Sequence, residues 1–84
     1  MVEKPIGHIT HYYGHIGVAT VELSEPLKVG ERVHIKGHST DLEQPVLSMQ
    51  IDHHSVVEAK PGDPVAIKVA EHVREHDVVL KQDA

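Results

Sequence analysis

Valine and isoleucine recur at every second position in short runs cut by proline and glycine, and this pattern most limits what the chain can become. Residues 16–23, IGVATVEL, set Ala19, Val21 and Leu23 on one face and Thr20 and Glu22 on the other. Residues 32–37 repeat the pattern with Val33 and Ile35, and residues 65–70 with Val65, Ile67 and Val69. No window shows a sustained 3.6-residue apolar period. The apolar residues themselves agree: 13 Val and 6 Ile stand against 5 Leu, with no Phe or Trp. β-branched side chains suit a pleated sheet and lose rotamer freedom in a helix.

Further strands are expected over residues 5–13, with Gly7 permitting a bend or bulge, and over residues 46–53, with Leu47, Met49 and Ile51 on one face. A final strand is expected over residues 77–81. Residues 38–43 read as a polar loop, and Val56, Val57 and Ala59 as a short packed crossing. Residues 71–76 read as a loop or one helical turn, and Pro61-Gly62-Asp63-Pro64 is the strongest turn signal. Six short strands hide their edges most simply by closing on themselves. The expectation is therefore an all-β chain: one domain over residues 1–84, its core over about 5–82, forming a small closed six-stranded β-barrel. Leu27 and Val29 would plug one end, with Gly30 turning the corner.

The formal charge is −5, which opposes strong phosphate-driven binding. Protonating all nine histidines would carry it to +4, so mild acid could reverse the sign. There is no cysteine, hence no thiolate chemistry, and this fits a reducing compartment. No apolar run at the N-terminus is long enough for a signal peptide, and none elsewhere for a membrane helix. A cytoplasmic location without membrane contact is the expectation.

The histidines are His8, His11, His15, His34, His38, His53, His54, His72 and His76. Three pairs are spaced i, i+4, which brings two rings together on a helix but leaves them roughly 13 Å apart on a strand. His72 and His76 would converge only if their segment is helical. No metal ligand set and no cofactor is assigned; the rings are expected on solvated strands and loops. Ser24, Ser39, Ser48 and Ser55 coexist with histidine and aspartate, but no G-x-S-x-G elbow is present and no catalytic residue is assigned. Asp41/Glu43 and Glu71/Glu75 read as solvated charge. Tyr12 and Tyr13, beside His11, should point to opposite faces, one into the core and one outward, where a base could stack. Lys28, Arg32 and Lys36 form the local basic cluster, and Arg32, His34 and Lys36 alternate onto one exposed side. The candidate binding residues are thus His11, Tyr12, Tyr13, Arg32, His34 and Lys36.

The ordered set IGHITHY, GVATVEL, LKVGERVHIKG, VLSMQI, VEAKPGD, VAIKV and REHDV resembles the second, β-barrel domain of translational GTPases such as elongation factor Tu. It is most similar to the small stand-alone elongation factor-like proteins, and it also resembles a domain at the C-terminus of collagenase-like peptidases. The resemblance covers about residues 5–82 and implies a six-stranded barrel that binds without catalysing. In the GTPases the barrel touches the aminoacyl end of transfer RNA. No phosphate loop is present here, so GTP is not expected to bind. In the peptidases the catalytic machinery lies in another domain. The resemblance leaves three functions open. One is a module binding RNA (transfer RNA or ribosome-associated) or a protein of the translation or RNA-modification machinery. The second is a detached accessory subunit of a collagenase-like peptidase-type enzyme. The third is a histidine-based metal or pH-responsive protein.

Overall fold

Ten strands, all paired antiparallel, carry the computed structural model, which describes residues 2–83. They are β1 (Val2–Tyr13), β2 (Val18–Leu23), β3 (Leu27–Lys28), β4 (Arg32–Lys36) and β5 (Asp41–Pro45), then β6 (Met49–Ile51), β7 (His54–Val56), β8 (Glu58–Ala59), β9 (Pro64–Lys68) and β10 (Val78–Asp83). Eight of them form one sheet in the order β5-β4-β10-β1-β2-β9-β6-β7, and β3 pairs separately with β8.

The alternating faces lie where the aliphatic pattern puts them. Ala19, Val21, Leu23, Val33, Ile35, Val65, Ile67 and Val69 are all buried. β1 keeps both Ile6 and Ile9 inside although they are three apart. Its register slips between Pro5 and Gly7 against β10, and between Ile9 and His11 against β2. These two bulges bend the strand so that its first part pairs with β10 and its last part with β2. Gly7 is required at the first bend, because a Cβ there would run into the backbone oxygen of Glu22.

The sheet does not close as a six-stranded barrel. β5 at one end and β7 at the other are edge strands, with no ladder between them. A side chain bridges part of the gap: Gln44 of β5 donates from Nε2 to the Lys68 carbonyl at 2.8 Å and accepts from the Ala70 N–H at 2.8 Å. The first strand of the sheet therefore touches the chain leaving the sixth, which requires a strongly curled sheet. The small β3–β8 pair caps the curl, with Leu27 and Ala59 fully buried and directly opposite one another.

Other expectations shift locally. Residues 38–43 are not all loop, since Asp41 opens β5; its alternation (Leu42 and Gln44 in, Asp41 and Glu43 out) is masked by a polar inward residue. Only Met49–Ile51 of residues 46–53 is strand before the turn at Asp52 and His53, both at positive φ. Val46 points inward and Leu47 is exposed, so the apolar phase slips at Ser48. Leu27 plugs the end as expected, whereas Val29 and Val57 lie at the surface. Gly30 takes φ 96°, the left-handed corner for which glycine suits. Residues 71–76 contain no helix, although Val73 is fully buried.

Candidate functional site

Position on a pleated sheet would leave His34 exposed between Arg32 and Lys36. The three do share the outer face of β4, but His34 is 9% exposed while its two basic neighbours are open to solvent. Acidic side chains cover the ring. Nδ1 lies 2.6 Å from Glu3 Oε2 and Nε2 lies 2.5 Å from Asp41 Oδ1. Pairing explains the arrangement. β4 and β5 set His34 directly opposite Glu43, two residues from Asp41 on the same face. β10 sits between β4 and β1, and sets Gln82 opposite both Arg32 and Glu3. The Gln82 amide nitrogen donates to Glu3 at 2.8 Å and to Glu43 at 2.5 Å. Its oxygen is buried without a partner.

The electrostatics follow from these contacts. The Asp41 hydrogen bond is the main cause that raises the His34 pKa; burial opposes it, and Glu3 adds to the rise. The Glu3 pKa is lowered, first by the Gln82 amide and then by His34. With a carboxylate on each ring nitrogen, both bonds form fully only when the ring carries both protons. The expected basic stripe is therefore an acidic-basic mosaic, with Glu3, Asp41 and Glu43 offsetting Arg32, Lys36 and the imidazolium. Such a surface holds phosphate less well than the stripe alone would.

His11, Tyr12 and Tyr13 lie elsewhere, on the part of β1 that pairs with β2 beyond the end of β10. As expected, the two tyrosines diverge. Tyr12 packs against the core, its ring 4.6 Å from that of His72, and Tyr13 is exposed. Tyr13 stacks edge-on with His11 at 4.4 Å, and His11 Nδ1 reaches Glu75 at 3.3 Å. Tyr13, Ile16, Val18 and Ala66 border an open groove of about 360 Å³ on the outer face of β2 and β9. The six candidate residues thus divide between two places, and the structure does not join them. His72 and His76 lack the helix that would have brought their rings together.

The sequence pattern missed the carboxylates that define the His34 site. Asp41 and Glu43 are spaced i, i+2, the one available signal, since that spacing puts both on one face of a strand. Glu3 and Gln82 reach the site only through the pairing of the chain's two ends.

No family model matches the chain. Over 75 residues it is 41% identical to an uncharacterized protease of Methanocaldococcus jannaschii, MJ0090. That match covers 88% of this chain but 18% of the relative, so the chain spans less than a fifth of the protein it resembles. In three dimensions it superposes on the C-terminal domain of a Geobacillus thermoleovorans protein described as a U32 peptidase. The TM-score is 0.88 at 19% identity, over 95% of this chain and 93% of that domain. The selenomethionine variant of the same domain gives 0.85 at 19% identity, over 90% and 96%. The fold is thus that of a peptidase C-terminal domain. Of the three resemblances in the sequence, these findings support the one to peptidase-associated domains.

Proposed function

We propose that the chain is a non-catalytic accessory module that docks on the catalytic body of a peptidase-type enzyme. The observation carrying this reading is the near-complete overlap, 95% against 93%, with one terminal domain of a larger peptidase-type protein. The 41% identity to a fifth-length portion of a second such protein agrees. The chemistry of the chain points the same way. His34 is its one buried histidine among nine, and both ring nitrogens are engaged by carboxylates, which leaves neither free to activate a nucleophile.

An apolar surface is available for docking. Val29, Leu47 and Val57 are exposed at the capped end. Backbone bonds gather their segments: Val29 N–H to the Val57 carbonyl at 3.0 Å, and Gly30 N–H to the Val46 carbonyl at 2.9 Å. Exposed aliphatics clustered at one end mark an interaction surface better than scattered ones do. The RNA-directed reading has weaker support, because acidic groups surround the basic stripe.

The test is calorimetric titration of this chain into a U32-type catalytic body lacking its own C-terminal domain. Saturable one-to-one binding is expected, weakened at least about tenfold (~1.4 kcal/mol) by Leu47→Asp or Val57→Asp with the melting temperature unchanged. No binding, together with ribonuclease-sensitive retention of nucleic acid by the same chain, would replace this reading with the RNA-directed one.

A further inference from the structure

Three depressions follow one another along the outer face of β2. The first is the groove of about 360 Å³ beside Tyr13 and Ile16, which reaches Thr20. The second, about 250 Å³, runs from Thr20 to Glu22. The third, about 350 Å³, continues from Glu22 past Leu23 to Ser24. Thr20 and Pro64 border both the first and the second, and Glu22 both the second and the third, so the three form one trough. An extended segment of about six residues would span the length of β2.

Side-chain size makes the trough. Thr20 of β2 lies directly opposite Ala66 of β9, and Ala66 opposite Gln50 of β6, so small groups floor it between larger ones. The Thr10 and Thr20 hydroxyls share a hydrogen bond of 2.7 Å, which engages their polar atoms with each other. Both long edges of β2 are paired, with β1 and with β9, so an occupant lies across the side chains and does not add as a strand. Charge selects the occupant. The carboxylates bordering the trough are Glu22, Asp52 and Asp63, and among the described residues no lysine or arginine borders it. Glu22 and Asp52 are exposed; His8 stands 3.8 Å from Glu22, and Asp63 accepts from the Lys60 N–H at 2.9 Å. Lys68 shares the outer face of β9 but lies opposite Val18, on the far side of Thr20 from Glu22. An apolar floor with acidic borders complements a segment that carries both aliphatic and cationic side chains.

We propose that the trough along β2 holds an extended, lysine- or arginine-bearing segment of another polypeptide. Its aliphatic groups rest on Val18 and Ala66, and its cations turn to Glu22 and Asp52. The site stands apart from docking at the capped end, since Val29, Leu47 and Val57 do not border it.

The test titrates the untagged 84-residue chain with a short labelled peptide of lysine and valine, and with its counterpart carrying glutamate for lysine. Saturable one-to-one binding of the lysine peptide is expected, weaker at high salt, with the amide resonances of Val18, Thr20 and Ala66 moving. The double variant Glu22→Gln/Asp52→Asn should weaken it about three- to tenfold, as for two exposed ion pairs. Asparagine tolerates the positive φ at position 52, and circular dichroism would verify that the variant folds. The double variant Glu58→Gln/Glu71→Gln removes as much charge from exposed positions outside the trough and should bind as the parent does. Equal weakening in the two double variants, equal binding of the glutamate peptide, or no saturable binding would each overturn the proposal. So would movement of the same resonances on concentrating the chain alone, or on adding an RNA oligonucleotide in place of peptide. Those results would assign the trough to a second copy or to nucleic acid.

Discussion

His34 and Glu3 have pH dependences of opposite sign, each set by its partners. The His34 pKa is raised above its ordinary 6.5, so its contribution to stability is full below that value and fades as pH rises through the higher folded one. Glu3 is the reverse. Its pKa is depressed below 4.5, so its contribution is present above that value and is lost as acid protonates the folded form. The pair therefore stabilises most between about pH 4.5 and 6.5. His34→Gln should lower the melting temperature at pH 6 by an amount equivalent to about 1.5–3 kcal/mol, the range for hydrogen bonds to charged groups. The gap from the parent chain should narrow toward pH 8.5; a gap that stays constant would mean the ring acts only through packing. A second residue-scale expectation concerns Gly37. A Cβ there would collide with the buried Asp77 carboxylate, which accepts from the Arg74 N–H at 2.8 Å. Gly37→Ala should cost about 1–3 kcal/mol in urea unfolding, as overpacking does, and Asp77→Ala in the same background should relieve part of that clash.

At the scale of elements, β5 depends on a single side chain. The Gln44 amide substitutes for a strand ladder, joining β5 to the chain after β9 through two bonds of 2.8 Å. Gln44→Leu keeps the bulk and removes both. It should cost about 1–3 kcal/mol, the net worth of two hydrogen bonds, since the Lys68 carbonyl and the Ala70 N–H belong to exposed residues and can turn to water. Hydrogen exchange should then quicken in β5 and at Ala70 before it does in β2 or β10. Uniform quickening would instead show that the bridge stabilises the whole sheet as one unit. This element was only half legible. Strands 2, 4 and 9 declare themselves because valine and isoleucine alternate without interruption. β5 reads as loop in the sequence because a buried glutamine occupies an inward position, and an amide is recognised as core only once its backbone partners are known.

For the whole molecule, the decisive pairing is between the ends of the chain. β10 runs between β4 and β1, inside the sheet order, so a strand far along the chain joins two early ones and completes the core. A chain stopped at residue 77 loses Val79 from the core and takes one of the two ladders from each of β4 and β1, splitting the sheet between them. It should lack dispersed amide resonances and cooperative melting. Retention of a cooperative transition would show that β10 is dispensable to folding. The same pairing assembles the His34 cluster, whose members sit at positions 3, 34, 41, 43 and 82.

Local alternation of β-branched residues sufficed to establish an all-β chain, the inward faces of β2, β4 and β9, the divergence of Tyr12 and Tyr13, and the bend at Gly7. Each of these depends on neighbours a few residues away, and such short-range sterics are written in the order of side chains. Whether the sheet closes, where the Gln44 bridge lands and which carboxylates surround His34 were decided by strand register across the fold. Registers join segments tens of residues apart through backbone atoms that every residue shares, so the pattern of side chains along one segment does not encode its partner.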